Sequence, residues 1–413
     1  MNNVVPEGWR AYNLGELASK IEGGGTPSRT EPKFWNGALP WATVKDLKGI
    51  RLQSTLESIS LNGLKQSASK LVPANTMILA SRMAVGKAVV FDREVAINQD
   101  LKAFYPKPIL ESAYLLQWYL SKAEVIAHMG TGSTVKGIKL DDINSLPIDL
   151  PPLPEQKKIA AILTSVDDVI EKTQAQIDKL KDLKTGMMQE LLTRGVGVDG
   201  KPHTEFKDSP VGKIPKGWDC CLLDKVAKRG SGHTPDKKKP EYWNDGVKWV
   251  SLTDSSKLDK LYISDTAKKI SQLGIENSSA TLHPKGTVVM ARDAGVGKSA
   301  IMTSSMAVSQ HFMAWVCGEK LDNYFLYYLL QHWKPQFEAI AMGSTIKTIG
   351  LPYFKKLQIP VPSIEEQRVI SGALKSVDNK MFALERKHKQ LTNTKKALMQ
   401  DLLTGKVRVK VDS

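Results

Sequence analysis

From residue 155 the chain spaces its apolar side chains three and four residues apart, through Ile159, Leu163, Val166, Ile170, Ile177, Leu180, Met187 and Leu191. Thr173 and Lys184 occupy the two polar steps of the same series. This is the seam of a helix made to lie along another helix. Forty residues at ~1.5 Å each would make a rod of roughly 60 Å. Propensity alone does not hold such a rod, so the stripe needs a partner.

The partner is predicted within the same chain. The seam returns 211 residues later as Ile370, Leu374, Val377, Met381, Leu384, His388, Leu391, Lys395, Leu398 and Leu402. Both segments place a lysine at the same turn, Lys184 and Lys395, and both end alike, MMQELLTRG at 187–195 and LMQDLLTG at 398–405. A glycine there suits a helix C-terminus. Ser363 and Glu366 have the spacing of a capping box. In an antiparallel pair the two lysines lie toward opposite ends. Each should then meet a local acceptor, and replacing both with leucine should raise thermal stability. The alternative buries the two helices separately, but neither flanking region supplies a helical bundle to do so.

The repeat extends beyond the helices. Gly8-Trp9 is answered by Gly217-Trp218, Gly25-Thr26-Pro27 by His233-Thr234-Pro235, Phe34-Trp35-Asn36 by Tyr242-Trp243-Asn244, Trp41 by Trp249, and Asp46 by Asp254. The offset drifts from 208 to 211, as expected when insertions fall in surface loops. Alternating apolar runs at 76–92 and 287–302 predict strand, turn, strand. Helices are expected at 111–128 and 322–341, followed by a glycine-rich loop and a short apolar strand. Pro-rich PPLP (151–154) and PVP (360–362) mark the entry into each long helix. The boundaries that follow are 1–152 for the first globular part, 153–195 for the first helix, 196–362 for a linker (196–216) and the second globular part, 363–405 for the second helix, and 406–413 for a tail.

Composition adds a question. The 413 residues carry a net charge of +15, and the surplus lies mostly outside the helices, most heavily in the second globular part. Such a charge points to nucleic acid, with a solvated surface as the alternative. The three cysteines (Cys220, Cys221, Cys317) fit neither a disulfide framework nor a zinc site. No signal segment and no apolar run near 18 residues is present, so a cytoplasmic protein is expected.

Catalytic motifs are missing. Gly297-Lys298-Ser299 ends as a phosphate-binding loop does, but Arg292 stands where that pattern needs glycine, and the first copy has Ala88 in place of the hydroxyl. No Asn-Pro-Pro-Tyr or Asp-Pro-Pro-Tyr and no Gly-x-Gly-x-x-Gly loop occurs, and the seven histidines are scattered. No cofactor and no metal is expected. The rival readings are a fused methyltransferase and a purely structural coiled-coil protein.

Taken in order and twice over, these features resemble the specificity subunit of type I restriction–modification enzymes. The resemblance rests on Pro154-Glu155-Gln156 and Glu365-Glu366-Gln367 at the helix starts, Leu191-Leu192-Thr193 and Leu402-Leu403-Thr404 at their ends, FKDSPVGKIPKGW at 206–218, and Gly132-Ser133-Thr134 and Gly343-Ser344-Thr345. It implies an α+β chain: two similar α/β target recognition domains separated by two long antiparallel coiled-coil helices, with internal two-fold pseudosymmetry. It also implies that each domain reads one half of a bipartite asymmetric site in double-stranded DNA. The helices would set the spacing and dock two methyltransferase (modification) subunits, which restriction (translocase/nuclease) subunits join.

Candidate DNA contacts come from the repeat-matched polar loops. In the first domain they are Thr26, Thr43, Lys45, Ser81, Arg82, Lys87, Gln99, Ser133, Thr134 and Lys136. In the second they are His233, Thr234, Thr253, Asp254, Arg292, Asp293, Lys298, Gln310, His311, Ser344, Thr345 and Lys347. Arg82 and Arg292 have the fork for guanine, Gln99 and Gln310 the amide for adenine. The plainer reading makes the hydroxyls turn residues and the glutamines scaffold, since both copies keep them.

Overall fold

The computed structural model describes residues 5–132, 135–344 and 346–411. The chain divides into two compact units, residues 1–174 with 386–413, and residues 175–385. Each unit therefore holds one globular part and a portion of both long helices, which run unbroken over Leu153–Leu191 and Ile364–Leu402.

In the first unit two sheets lie back to back. One has the strand order Ala18–Gly23, Leu101–Pro106, Met77–Ala80, Ala88–Phe91, Arg51–Leu52; the other has Glu57–Ile59, Trp35–Ala42, Val95–Ile97, Lys70–Val72. The expected strand pair at 76–92 is present, antiparallel, with Ile78 opposite Val89. All four residues of both strands are buried, because side chains alternate between two covered faces. Ile78, Ala80, Val89 and Phe91 pack with Val95 and Ile97 of the other sheet. Met77, Leu79, Ala88 and Val90 lie under Tyr114, Leu115, Trp118 and the start of the first long helix.

The helix expected at 111–128 is two, Ser112–Ser121 and Ala123–Met129, meeting at Lys122 with φ −97° and ψ 5°. Its twin breaks at the same place, into Asn323–His332 and Lys334–Ile340. There Pro335 sits in the first turn of the second piece, where a missing N–H costs no hydrogen bond.

The second unit repeats the strand order of both sheets, from Ala227–Ser231 through Phe312–Cys317, Val288–Ala291 and Ser299–Met302 to Tyr262–Ile263, and from Lys268–Ile270 through Trp243–Val250 and Met306–Val308 to Leu282–His283. It adds one element. The stretch 196–216, expected to be a polar linker, contains a hairpin pairing Phe206–Ser209 with Gly212–Pro215. Ile214 and Trp218 at its end are buried in the core of the unit, so the hairpin is tied down by two apolar residues inside a polar stretch.

Within each unit the helices run antiparallel. In the first, Asp167 meets Lys395 while Glu155, twelve residues earlier, meets Arg408 beyond the second helix. In the second, Lys184 meets Asp378 while Val196 meets Glu366. Leu163, Ile177, Leu374 and Val377 of the expected seam are buried; Val166, Ile170, Leu180, Met381, Leu384, Leu391 and Leu398 are half-buried. Both helices end as expected on a left-handed glycine, Gly195 (φ 68°) and Gly405 (φ 70°). A side chain at either would strike Trp218 or Pro6 at 2.5 Å.

One local expectation needs correction. Ser363 Oγ accepts from Glu366 N at 3.2 Å, but the Glu366 carboxylate does not return to close a capping box. It accepts from Val196 N and lies 2.8 Å from His203 Nε2. The tail is also engaged: Arg408 donates twice to Glu155 at 2.8 Å and once to Glu7 O at 2.7 Å. Among the described residues no helix is long and apolar enough to cross a membrane, and no cluster of His, Cys, Asp and Glu is able to hold a metal ion.

Candidate nucleic-acid interface

Backbone hydrogen bonds draw four loops of the first unit to one end of its sheets. Asn98 N donates to Ala42 O at 3.1 Å, Gly25 N to Ile97 O at 3.1 Å, Ser81 N to Asp100 O at 2.9 Å and Met83 N to Lys136 O at 2.8 Å. The Lys87 ammonium donates to Leu47 O at 3.2 Å. Residues 25–27, 43–48, 81–87 and 98–100 are thereby neighbours, joined by Lys136. The second unit makes three of these links, through Ser309 N to Val250 O at 2.9 Å, Arg292 N to His311 O at 2.9 Å and Ala294 N to Lys347 O at 3.4 Å.

Within this cluster Thr26 Oγ1 donates to Gln99 Oε1 at 2.5 Å, and Thr234 Oγ1 to Gln310 Oε1 at 2.6 Å. Gln99 and Gln310 are both exposed, and the Gln310 NH2 lies 3.4 Å from His311 Nε2. Lys45, Arg82, Lys87, Lys136, His233, Thr253, Ser344 and Lys347 are exposed, and Thr26 with them; Thr234, Arg292, Lys298 and His311 are half-buried. Ser133, Thr134 and Thr345 lie outside the described residues.

Four candidates have partners within the fold. Asp254 has no exposed surface; its carboxylate accepts from Ser251 N at 3.1 Å and Ala267 N at 2.7 Å, and pairs with Lys257 at 3.0 Å. Asp46 does the same work in the first copy, toward Thr43 N and Leu56 N. Thr43 is the cap of that turn, its hydroxyl accepting from Lys45 N and donating to Asp46. Ser81 is buried with its hydroxyl on Asp100 O at 3.1 Å. Asp293 is buried against His311 at 2.6 Å and Arg292 at 3.3 Å.

The shared hydrogen bonds keep the 211-residue offset of the two strand pairs, so Arg82 and Arg292, given the same role from the sequence, are not counterparts. Ser81 corresponds to Arg292, Arg82 to Asp293, and Asp100 to His311. The first copy therefore pairs a cation at 82 with a carboxylate at 100, 3.4 Å apart. The second reverses the polarity, carboxylate at 293 and imidazole at 311. Asp100 was missed because a sequence shows no partner for it; the repeat position of His311 was the available signal.

Each copy also has an edge-to-face tryptophan pair beneath the Thr–Gln link, Trp35 on Trp41 at 5.1 Å and Trp243 on Trp249 at 5.2 Å. In the first, the Arg29 guanidinium lies 3.7 Å from the Trp35 ring centre and grips Glu57 with both nitrogens. Glu57 lies opposite Trp41 in the sheet; in the second copy Lys268 lies opposite Trp249. Arg29 and Glu57 were not foreseen, since neither belongs to a matched motif.

The phosphate-loop resemblance has a structural answer. Ser299 is fully buried and accepts from Gln331 Nε2 at 2.9 Å, while Lys298 turns to Ser255 Oγ at 3.5 Å. The hydroxyl that would hold magnesium faces the core.

The chain is similar over nearly its whole length to known proteins. It is 26% identical over 419 residues to the type I restriction enzyme MjaVIII specificity subunit of Methanocaldococcus jannaschii, covering 98% of this chain and 94% of that one. It is 30% identical over 188 residues to the EcoR124I/EcoR124II specificity subunit of Escherichia coli, covering 41% of this chain and 46% of that one. Its fold matches the crystal structure of a type I restriction–modification S subunit from M. genitalium with a TM-score of 0.63 at 14% identity, over 97% of each chain. Residues 6–182 and 215–393 each match the type I restriction modification DNA specificity domain. With that domain present twice and covering most of its length, the chain belongs to the type I restriction–modification DNA specificity family.

Proposed function

We propose that each of the two specificity domains reads a different half of a bipartite, asymmetric site in double-stranded DNA. The long helices fix the spacing between the halves and dock two methyltransferase subunits, to which restriction subunits attach. The chain itself performs no catalysis. One observation carries this reading: the same loop cluster is built twice on the same scaffold bonds, yet its exposed side chains differ. Lys45 faces outward where the second copy has Thr253, and the accessible member of the buried-carboxylate pair is Arg82 in the first copy and His311 in the second. A shared frame with different donors and acceptors is what reading two different half-sites requires.

The deciding experiment reconstitutes the chain with its methyltransferase partner and maps methylated adenines. Two unlike half-sites at a fixed separation are expected, with no methylation by the chain alone. A symmetric site, or methyl transfer by the isolated chain, would overturn the reading. Filter binding with and without the methyltransferase separates it from a structural coiled-coil role, for which neither sample retains DNA selectively.

A further inference from the structure

The two tryptophan pairs differ in what covers them. In the first domain Arg29 lies over Trp35 and is neutralised by Glu57. The strand registers fix the counterparts. Trp35 Nε1 donates to Ser28 O and Trp243 Nε1 to Asp236 O, so Lys237 stands where Arg29 does. Lys268 stands where Glu57 does. A stacked, neutral ion pair has become two ammoniums.

The place is open in the second domain. A cavity of about 220 Å³ is lined by Lys237, Lys268, Trp243 and Trp249 together with Thr234 and Gln310. No acidic side chain is among its described lining residues. Lys237 and Lys268 are exposed, and no described carboxylate pairs with either. Lys268 Nζ stands 6.0 Å from the Trp243 ring centre, along the wall that Arg29 occupies in the other copy. Two compact point charges beside a glutamine amide, with no acid among them, select a phosphate over a base edge.

We infer that this cavity is a DNA-backbone phosphate site on the second specificity domain, which the Arg29–Glu57 pair closes off in the first. The inference rests on the DNA-reading function proposed above. It makes the second half-site the more salt-sensitive of the two, since each neutralised phosphate releases condensed counterions.

The test uses the chain assembled with its methyltransferase partner and a duplex bearing the site mapped by methylation. Binding is measured across a potassium chloride series for the wild type and for Lys237→Gln/Lys268→Gln. The double variant should lower the slope of log K against log salt by about one unit and leave the methylated sequence unchanged. A duplex scanned with single neutral methylphosphonate linkages should contain one position, in the second half-site, that weakens the wild type but not the double variant. An unchanged slope, or identical scans for both proteins, overturns the phosphate site while the function stands. A wild-type complex that does not prefer its site to a scrambled duplex overturns the function, and this inference with it.

Discussion

Lys395 donates to Asp167 on the other long helix, with Nζ 2.6 Å from Oδ1. Lys184 repeats the contact with Asp378 at 2.7 Å, and the two pairs are related by the repeat. Each aspartate has a further donor from its own globular part at matching positions, Gln117 Nε2 at 2.7 Å and Tyr328 OH at 2.8 Å. The seam lysines therefore tie helix, helix and globular part together. This reverses the expectation that leucine would stabilise the seam.

Lys395→Leu strands a carboxylate that is nearly buried, so a loss of roughly 3–5 kcal/mol is expected. Asp167→Leu/Lys395→Leu removes both charges and should lose far less, because no unpaired charge remains. Chemical denaturation of the three proteins checks this. A single variant as stable as the wild type would show the pair contributes nothing.

Asp254→Ala removes the acceptor for two backbone N–H groups and for Lys257 at a site without exposed surface. About 3 kcal/mol of stability should go, while the methylated sequence stays the same. A changed second half-site in a protein of unchanged stability would return Asp254 to the contact set.

Acidification should weaken the second unit. Burial pushes His283 below its ordinary value of 6.5, and Lys228 adds to this, against a backbone contact at Ser231 that works the other way. Burial alone pushes His332 down. A folded pKa below the unfolded one means the unfolded chain binds more protons between the two. Stability is then full above about pH 6.5 and falls as pH drops through that window, levelling below the folded value. The position of His283 is Val72 in the first unit, each closing the same strand ladder. His283→Val should flatten the pH profile of the second unit, read by hydrogen exchange at pH 5 to 7.5.

Much of this architecture was legible because it repeats. A heptad seam and a run of paired tryptophans survive as patterns at fixed offset, and the apolar strands at 77–80 and 288–291 follow from covered faces. What was not legible depends on partners distant in sequence. Whether a threonine caps a turn, as Thr43 does, or faces solvent, as Thr253 does, is decided by Asp46 and Ser251 contacts that residue type does not encode. The hairpin at 206–215 was hidden for the same reason, since Ile214 and Trp218 become anchors only once the core they enter exists.

Arg82 is the exposed member of its pair, with 53% of its side chain accessible against 12% for Asp100. Asp100 orients the guanidinium from behind. Arg82→Ala should cost about 1–3 kcal/mol against one base pair of the first half-site and relax the methylated sequence there alone. Arg82→Lys keeps the charge but loses the fork, so it should restore affinity more than selectivity. In the second domain the more accessible member of the pair is His311, and His311→Ala should relax only the second half-site. Relaxation of the same position by both variants would contradict the separate reading of two halves.

The last prediction asks whether the helices act as a ruler. Each is 39 residues long without a break, and the boundary between the units crosses them at 174/175 and 385/386. Inserting one heptad in each helix there keeps the apolar seam in phase and adds ~10 Å of helix. That equals about three base pairs at ~3.4 Å each. The rotations do not match. A heptad turns a straight helix by only ~20° relative to its seam, whereas three base pairs turn DNA by roughly 100° at ~10.5 pairs per turn. One domain would face the wrong groove at the native spacing and be only partly aligned at a spacing three pairs longer. Loss of affinity for the native site is therefore expected, with at most partial recovery on a duplex lengthened by three pairs. A folded double insertion that methylates at the native spacing with undiminished efficiency would show that the helices do not set it.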